Sequence, residues 1–287
     1  MFSNALLSGC LPQVKAEFPG PVACILQGDD VFLDALPDSH RSRAIAAVSE
    51  RASGFDGFLT HSRFYRDRMA KMLSLPAERF RTIPLSIDLE PHPGTPGERV
   101  GQPFTIGYFA RLAPEKGLHH LLEAFAVFHA KHPEARLRIG GYEPAQHRGY
   151  IAEQHRQGAA IGPAVEFSGR PGSIEEKVAF YRSIDVFSVP TEFEEPKGIP
   201  VLEAWANGVP VVQPAIGAFP ELIGADGVGG LLVPHRDPQA LAAAWESLLS
   251  DRPRLLILAR AGHDKVRERH SHEAVARVTL RALHAIQ

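Results

Sequence analysis

The chain has 287 residues, with 31 Lys and Arg against 33 Asp and Glu for a formal net charge of −2, and 44% of its residues are apolar. That length suffices for two domains of ordinary soluble composition, and the near balance of charge argues against a role that depends on gripping a polyanion over a wide surface. Two cysteines, Cys10 and Cys24, make no disulfide framework and fit a reducing cytoplasm, and no apolar run approaches the ~20 residues needed to cross a bilayer.

In chain order, strand and helix patterns alternate. The opening Met1-Phe-Ser-Asn-Ala-Leu-Leu-Ser-Gly lacks the basic start and full apolar stretch of a signal peptide and reads as an interior segment. The pattern predicts a strand over 22–27, a helix over 39–53, a strand over 57–60, a helix over 62–73 and a strand over 81–85. Pro91-His-Pro-Gly-Thr-Pro-Gly-Glu98 reads as a linker. A strand over 104–110 follows, then a turn over 111–117 and a helix whose apolar face is Leu118, Leu121, Leu122, Phe125 and Phe128. Strands over 135–141 and 165–170 come next, and a helix over 173–184 with Ser173 as N-cap and Glu176 as its capping-box partner. The strand over 185–190 leads into a loop and a helix that begins near Pro200 and stops at Gly208. Strands over 209–212 and 230–233, a short helix over 219–223, a helix over 238–249 and a final helix over 272–286 complete the chain. Such alternation means parallel sheets covered on both faces, with ligands at the carboxyl ends of the strands.

Two motifs carry chemistry. In Glu195-Pro-Lys-Gly-Ile-Pro-Val-Leu-Glu203, two carboxylates stand eight positions apart across a loop entering a helix. Carboxylates accept hydrogen bonds in pairs, so each can hold neighbouring hydroxyls of a ribose or hexose at roughly 1.5–3 kcal/mol per charge-assisted bond. Either acid alone would read as merely solvated. The second motif, Arg111-Leu-Ala-Pro-Glu-Lys-Gly117, joins a strand to a helix, with Pro114 where a first helical turn tolerates it. It sets Arg111 and Lys116 beside a helix start, where unpaired N–H groups already attract anions, and two cations there would neutralise a pyrophosphate. Outside this strand-turn-helix context the same two residues would be a surface pair worth little.

Both stretches resemble glycosyltransferase family 4, retaining enzymes of GT-B fold that use nucleotide-activated sugars. The resemblance implies an α/β protein of two Rossmann-like domains with parallel sheets. Residues 1–97 would form a partial acceptor-side domain, truncated at its N-terminal part, residues 98–267 the donor-binding domain, and residues 268–287 a helix crossing back to the first domain. It implies that Glu203 holds the donor's ribose and that Glu195 contacts the donor sugar beside the reacting carbon. Arg111 and Lys116 would hold the diphosphate and stabilise the leaving group. The loop at Gly169 and Arg170 would lie near the base, and Gly198, Ile199 and Pro200 would complete the donor-binding set. The implied reaction is transfer of a hexose, with retention of configuration, from a UDP- or GDP-sugar to a hydroxyl on a saccharide, lipid-linked or small-molecule acceptor. No cofactor, metal or nucleic acid is implied, and the location would be cytoplasmic, open to peripheral contact with the inner membrane face.

The chain departs from the family pattern in two places. The family's opening strands and glycine-rich loop are missing, which points to a fragment or a truncated reading frame. Gln27 stands at the end of the first predicted strand, where many members carry a histidine, and glutamine cannot carry an imidazolium charge. The competing expectation is therefore a non-catalytic nucleotide-sugar-binding module or an inactive truncated homologue, and another GT-B enzyme such as an epimerase fits the paired glutamates less well. Gly28-Asp29-Asp30 reads as a turn. His119-His120 and His270-Ser-His272 read as surface or helix residues without metal-ligand spacing. The basic bias between Arg41 and Arg81 reads as a solvated pair of helices, with docking to an anionic membrane as the sharper alternative. No Gly-x-Gly-x-x-Gly follows a strand, which sets aside a nicotinamide or flavin enzyme.

Overall fold

The computed structural model describes residues 1–97, 99, 101–224 and 227–286. The chain divides into two compact units, Met1–Ser86 with His272–Gln287, and Ile87–Ser271.

The first unit opens with a 3-10 turn, Ala5–Cys10, capped by the Asn4 side chain, and a helix α1 (Leu11–Glu17). Strand β1 (Ala23–Ile25), helices α2 (Asp29–Asp34) and α3 (Asp38–Ala52), strand β2 (Gly57–Thr60), helix α4 (Arg63–Met72) and strand β3 (Phe80–Thr82) follow. The three strands pair in parallel in the order β1-β2-β3. Their core is aromatic: Phe58 stacks on Phe80 at 4.6 Å, and Phe55 meets both Phe2 and Phe58 edge-on.

Gly28-Asp29-Asp30 is not a surface turn. The two acids head α2 and are buried, at 1% and 3% exposure. Asp29 accepts from the backbone N–H groups of Ala5 (2.6 Å) and Gln27 (3.0 Å). Asp30 accepts from the Tyr65 hydroxyl (2.8 Å) and from Arg68 Nε (2.7 Å). Part of the basic bias of this region is thus internal, since Arg68 also reaches Asp34 and Arg79 binds the Phe55 carbonyl.

The second unit holds β4 (Thr105–Phe109), α5 (Leu118–Lys131), β5 (Arg136–Gly140), α6 (Arg148–Ile161), β6 (Val165–Gly169), α7 (Ile174–Arg182), β7 (Val186–Phe187), α8 (Ile199–Ala206), β8 (Val211–Pro214), α9 (Phe219–Ile223), β9 (Gly230–Val233), α10 (Pro238–Ser250) and α11 (Arg252–Arg269). All six strands are parallel, in the order β6-β5-β4-β7-β8-β9. The chain runs outward from β4 through β5 and β6, then restarts on the other side of β4 with β7. The strand order therefore reverses between β4 and β7, which is where an open parallel sheet leaves a crevice for ligands.

Leu118, Leu121, Leu122, Phe125 and Phe128 are all buried, as the apolar face of α5 requires. Helices α6 and α11 carry a weaker apolar stripe, burying only Ile151, Gln154 and Gly158 in the one and Leu255, Ala259, Gly262 and Val266 in the other. At Gly262 a Cβ would stand 2.4 Å from the Trp205 ring, so α11 packs directly on α8. Strand β7 is shorter than the apolar run 185–190 suggests: the Ser188 N–H still donates to the Gly107 carbonyl, but the Val189 N–H turns to the Gln213 side chain (3.1 Å) and Pro190 has no N–H to donate. Ser173 caps α7 through the Glu176 N–H (3.3 Å), but Glu176 reaches back to the Gly172 N–H (2.7 Å) rather than to Ser173.

The Pro- and Gly-rich stretch expected as a linker groups with the second unit, where Gly94 lies against the Asn207 backbone and His92 bonds Asn207 Nδ2 at 2.9 Å. Glu98, its last residue, lies outside the described residues. The chain returns to the first unit with α12 (His272–His284), after which Ile286 covers Gly57 of β2. No helix among the described residues is long and apolar enough to cross a membrane.

Candidate active site

The turn after β4 and the loop after β7 flank the strand-order reversal and are built onto each other. Gly117, between the 3-10 turn Pro114–Lys116 and α5, sits at φ +68°, and a Cβ there would stand 1.8 Å from the Pro190 carbonyl oxygen. Only glycine allows that approach. The Glu115 carbonyl accepts from the Glu192 N–H (3.0 Å) and the Thr191 hydroxyl (2.7 Å). Lys116 then reaches Glu195 with Nζ 2.7 Å from Oε2, at 19% and 15% side-chain exposure, and lies over the Phe193 ring. From the far side, Ala218 donates to the Glu195 carbonyl (2.8 Å), and Gly217, at φ +59°, lets the loop after β8 close on the Glu195 backbone.

Glu203 lies on α8, as the Pro200-to-Gly208 pattern implies, and both its oxygens are engaged. Lys177 Nζ is 2.5 Å from Oε1, and the Tyr181 hydroxyl donates to Oε2 at 2.9 Å. Burial and the adjacent carboxylate push the Tyr181 phenol well above its ordinary range, which keeps it a donor. Arg111 pairs with Glu115 at the more exposed rim. Arg170 lies over the Tyr142 ring at 5.8 Å.

Arg111, Lys116, Arg170, Glu195, Ile199, Pro200 and Glu203 all line one cavity of about 600 Å³, walled by apolar groups such as Phe109, Val189, Ile174 and Phe219. Gly169 and Gly198 are not among the residues lining it; both sit at positive φ, +68° and +77°. The charged side chains of the lining are Arg111, Lys116, Arg170 and Lys177 against Glu195 and Glu203, an excess of two positive charges.

Lys177 and Tyr181 belong to neither of the two sequence motifs. Their spacing of four on α7, which puts them on one face, is the signal that could have found them. His119 and His120, expected as surface or helix residues, instead both bring Nε2 to one oxygen of Glu192, at 3.0 and 2.8 Å. These three offer donor atoms within 4.8 Å of one another and could hold a metal ion. In this structure the two imidazoles bond the Glu192 carboxylate. The ionised Glu192 carboxylate only accepts, so His119 Nε2–H donates to it; the Tyr150 hydroxyl, which accepts from the His119 backbone N–H, lies 3.0 Å from His119 Nδ1, and Arg236 donates to the other Glu192 oxygen at 2.9 Å. Burial raises the Glu192 carboxyl, but the bonds from His119 and His120 and the Arg236 charge outweigh it and hold the group below the usual carboxylate range.

The model of the family described as "Glycosyl transferases group 1" matches residues 103–251, the strands and loops that build this cavity. The chain belongs to that family. The colanic acid biosynthesis glycosyltransferase WcaL of Escherichia coli, itself named as putative, is 31% identical over 276 residues, which is 93% of this chain and 65% of that protein. A D-inositol 3-phosphate glycosyltransferase of Corynebacterium urealyticum is 36% identical over 158 residues, 54% of this chain and 37% of that protein. The chain thus spans between about a third and two thirds of the length of these two curated relatives. Among solved structures, the Anabaena protein HepE in complex with UDP superposes with a TM-score of 0.82 at 21% identity, over 98% of this chain and 76% of that one. The C-terminal domain of a group 1 glycosyl transferase from Francisella tularensis matches over its whole length and 65% of this chain, at 25% identity and a TM-score of 0.58. The fold of this group 1 glycosyl transferase is therefore GT-B, an α/β architecture with parallel sheets.

Proposed function

We propose that this chain binds a nucleotide sugar in the cavity at the β4/β7 reversal and transfers its hexose, with retention of configuration, to a hydroxyl acceptor. The observation that carries the reading is the convergence of Arg111, Lys116, Glu195 and Glu203 on one cavity with two excess positive charges, a match for a diphosphate between two hydroxyl-bearing rings. Arg111 and Lys116 take the diphosphate and stabilise the departing charge, Glu195 orients the sugar, and Glu203 clamps the ribose. Gly169 and Arg170 lie towards the base, and the segment Gly198, Ile199 and Pro200 closes the donor site. HepE was crystallised with UDP and with UDP-glucose, so UDP-hexoses are the first donors to test, followed by GDP-hexoses.

Gln27, in place of the family histidine, favours a second reading, a donor-binding module without turnover. Calorimetry against UDP-glucose and GDP-mannose, followed by a donor-hydrolysis assay, separates the two. Binding with turnover supports transfer, binding without turnover selects the module, and no binding removes both.

The acceptor is a saccharide, a lipid-linked or a small-molecule hydroxyl, and the protein works in the cytoplasm. Where the acceptor is lipid-linked, the basic segment between Arg41 and Arg81 is the candidate for docking at an anionic membrane. Salt-sensitive flotation with anionic liposomes tests that contact.

A further inference from the structure

We infer that Lys177 is a positioning residue for the donor's ribose, acting through Glu203, a role that rests on the donor-binding reading proposed above. On sequence Lys177 is an ordinary helix lysine. In the fold it is a half-buried cation, 24% exposed, that lines the cavity and pairs with a carboxylate 13% exposed.

A carboxylate on a flexible two-carbon stem must lose rotamer freedom before it can grip two hydroxyls, and that loss weakens binding unless it occurs in the free protein. Here α7 holds it from two sides, with Lys177 on Oε1 and Tyr181 on Oε2. An ionised carboxylate offers about four lone-pair sites, so two remain for ligand hydroxyls after these bonds. Lys177 is itself held, with Nζ 5.4 Å from the Phe109 ring centroid. Lys177 thus arranges Glu203 in advance of the ligand, and it keeps an otherwise unpaired half-buried charge compensated.

The competing role for a cavity lysine is direct contact with the diphosphate, and ribose chemistry separates the two. Nucleotide affinity is measured by calorimetry for UDP and 2′-deoxy-UDP, and for GDP and 2′-deoxy-GDP, with wild type, Lys177→Met, Lys177→Arg and Glu203→Gln. Wild type should bind the ribonucleotide more tightly than its deoxy counterpart. Lys177→Met should weaken the ribonucleotide on the order of tenfold, as loss of a charge-assisted bond does, and the deoxynucleotide, which keeps only the 3′-hydroxyl for Glu203, by a clearly smaller factor. Lys177→Arg should recover most of the loss, and adding Glu203→Gln to Lys177→Met should cost little more than Glu203→Gln alone.

Equal losses for both nucleotides would assign Lys177 to the diphosphate and overturn the positioning role. Unchanged affinity in Lys177→Met overturns it too, as does a wild type that binds ribo- and deoxynucleotide alike. A wild type that binds none of the four removes the donor-binding reading itself, and this role with it. Melting curves identify a Lys177→Met variant that fails to fold, in which case Lys177→Gln, which keeps a hydrogen-bond donor without the charge, is judged by the same ratio.

Discussion

Lys116 Nζ lies 2.7 Å from Glu195 Oε2 across 79 residues of chain, so the turn after β4 and the loop after β7 share one ion pair inside the cavity. Transition-state charge stabilisation by such a group commonly contributes ~2.7–4 kcal/mol. Lys116→Ala and Glu195→Gln are each expected to lower turnover by well over tenfold. Because the two act as a unit, the double variant should lose less than the product of the single losses. Initial rates of donor hydrolysis or transfer decide it, and wild-type rates in either single variant remove that residue from the chemistry.

Gly117→Ala should damage both stability and binding. The substituted Cβ would overlap the Pro190 carbonyl, and the positive φ is strained for any other residue. The expected cost is at least ~1 kcal/mol, with a loss of nucleotide affinity because the 111–117 turn must lift off the loop that carries Glu195. Gly149→Ala in α6, where a Cβ meets nothing within 4 Å, is the control and should be neutral or mildly stabilising. Urea unfolding of the two variants side by side makes the comparison, and equal midpoints would contradict the contact.

In the first unit, the Tyr65 hydroxyl donates to Asp30 and accepts from the Gly28 N–H, both at 2.8 Å. Tyr65→Phe leaves the Gly28 donor without that partner and removes the hydroxyl that bonds Asp30 beside Arg68. The expected destabilisation is roughly 1–3 kcal/mol. Equilibrium unfolding measures it, and a change within error would mean that solvent replaces the hydroxyl without cost.

Glu192 couples stability to acid. Its carboxyl is held below the ordinary value of 4.5 by His119, His120 and Arg236. The stabilisation is therefore present above pH 4.5 and is lost as pH falls through the lower, folded-state value. Below pH 4.5 the melting-temperature gap between wild type and Glu192→Gln should close on further acidification. A gap that widens with acid below pH 4.5 would reverse the assignment.

The local features of this protein were legible along the chain. The Ser173 cap, the five-residue apolar face of α5, the helix from Pro200 to Gly208 and the placement of Arg111, Lys116, Glu195 and Glu203 after strands depend on backbone periodicity, caps and turns within a few residues of one another. What only tertiary structure decided lies in pairs distant in sequence. Asp30 meets Tyr65 and Arg68, so a stretch read as a turn is a buried, charge-paired helix start. His119 and His120 meet Glu192, and Lys177 meets Glu203, because parallel strands bring loops and helix starts from different crossovers to the same sheet end. Spacing along a helix can show that Lys177 and Tyr181 share a face, but it does not name the carboxylate they meet. Their role is set by which carboxylate the packing places within hydrogen-bond reach and by how much water that packing excludes.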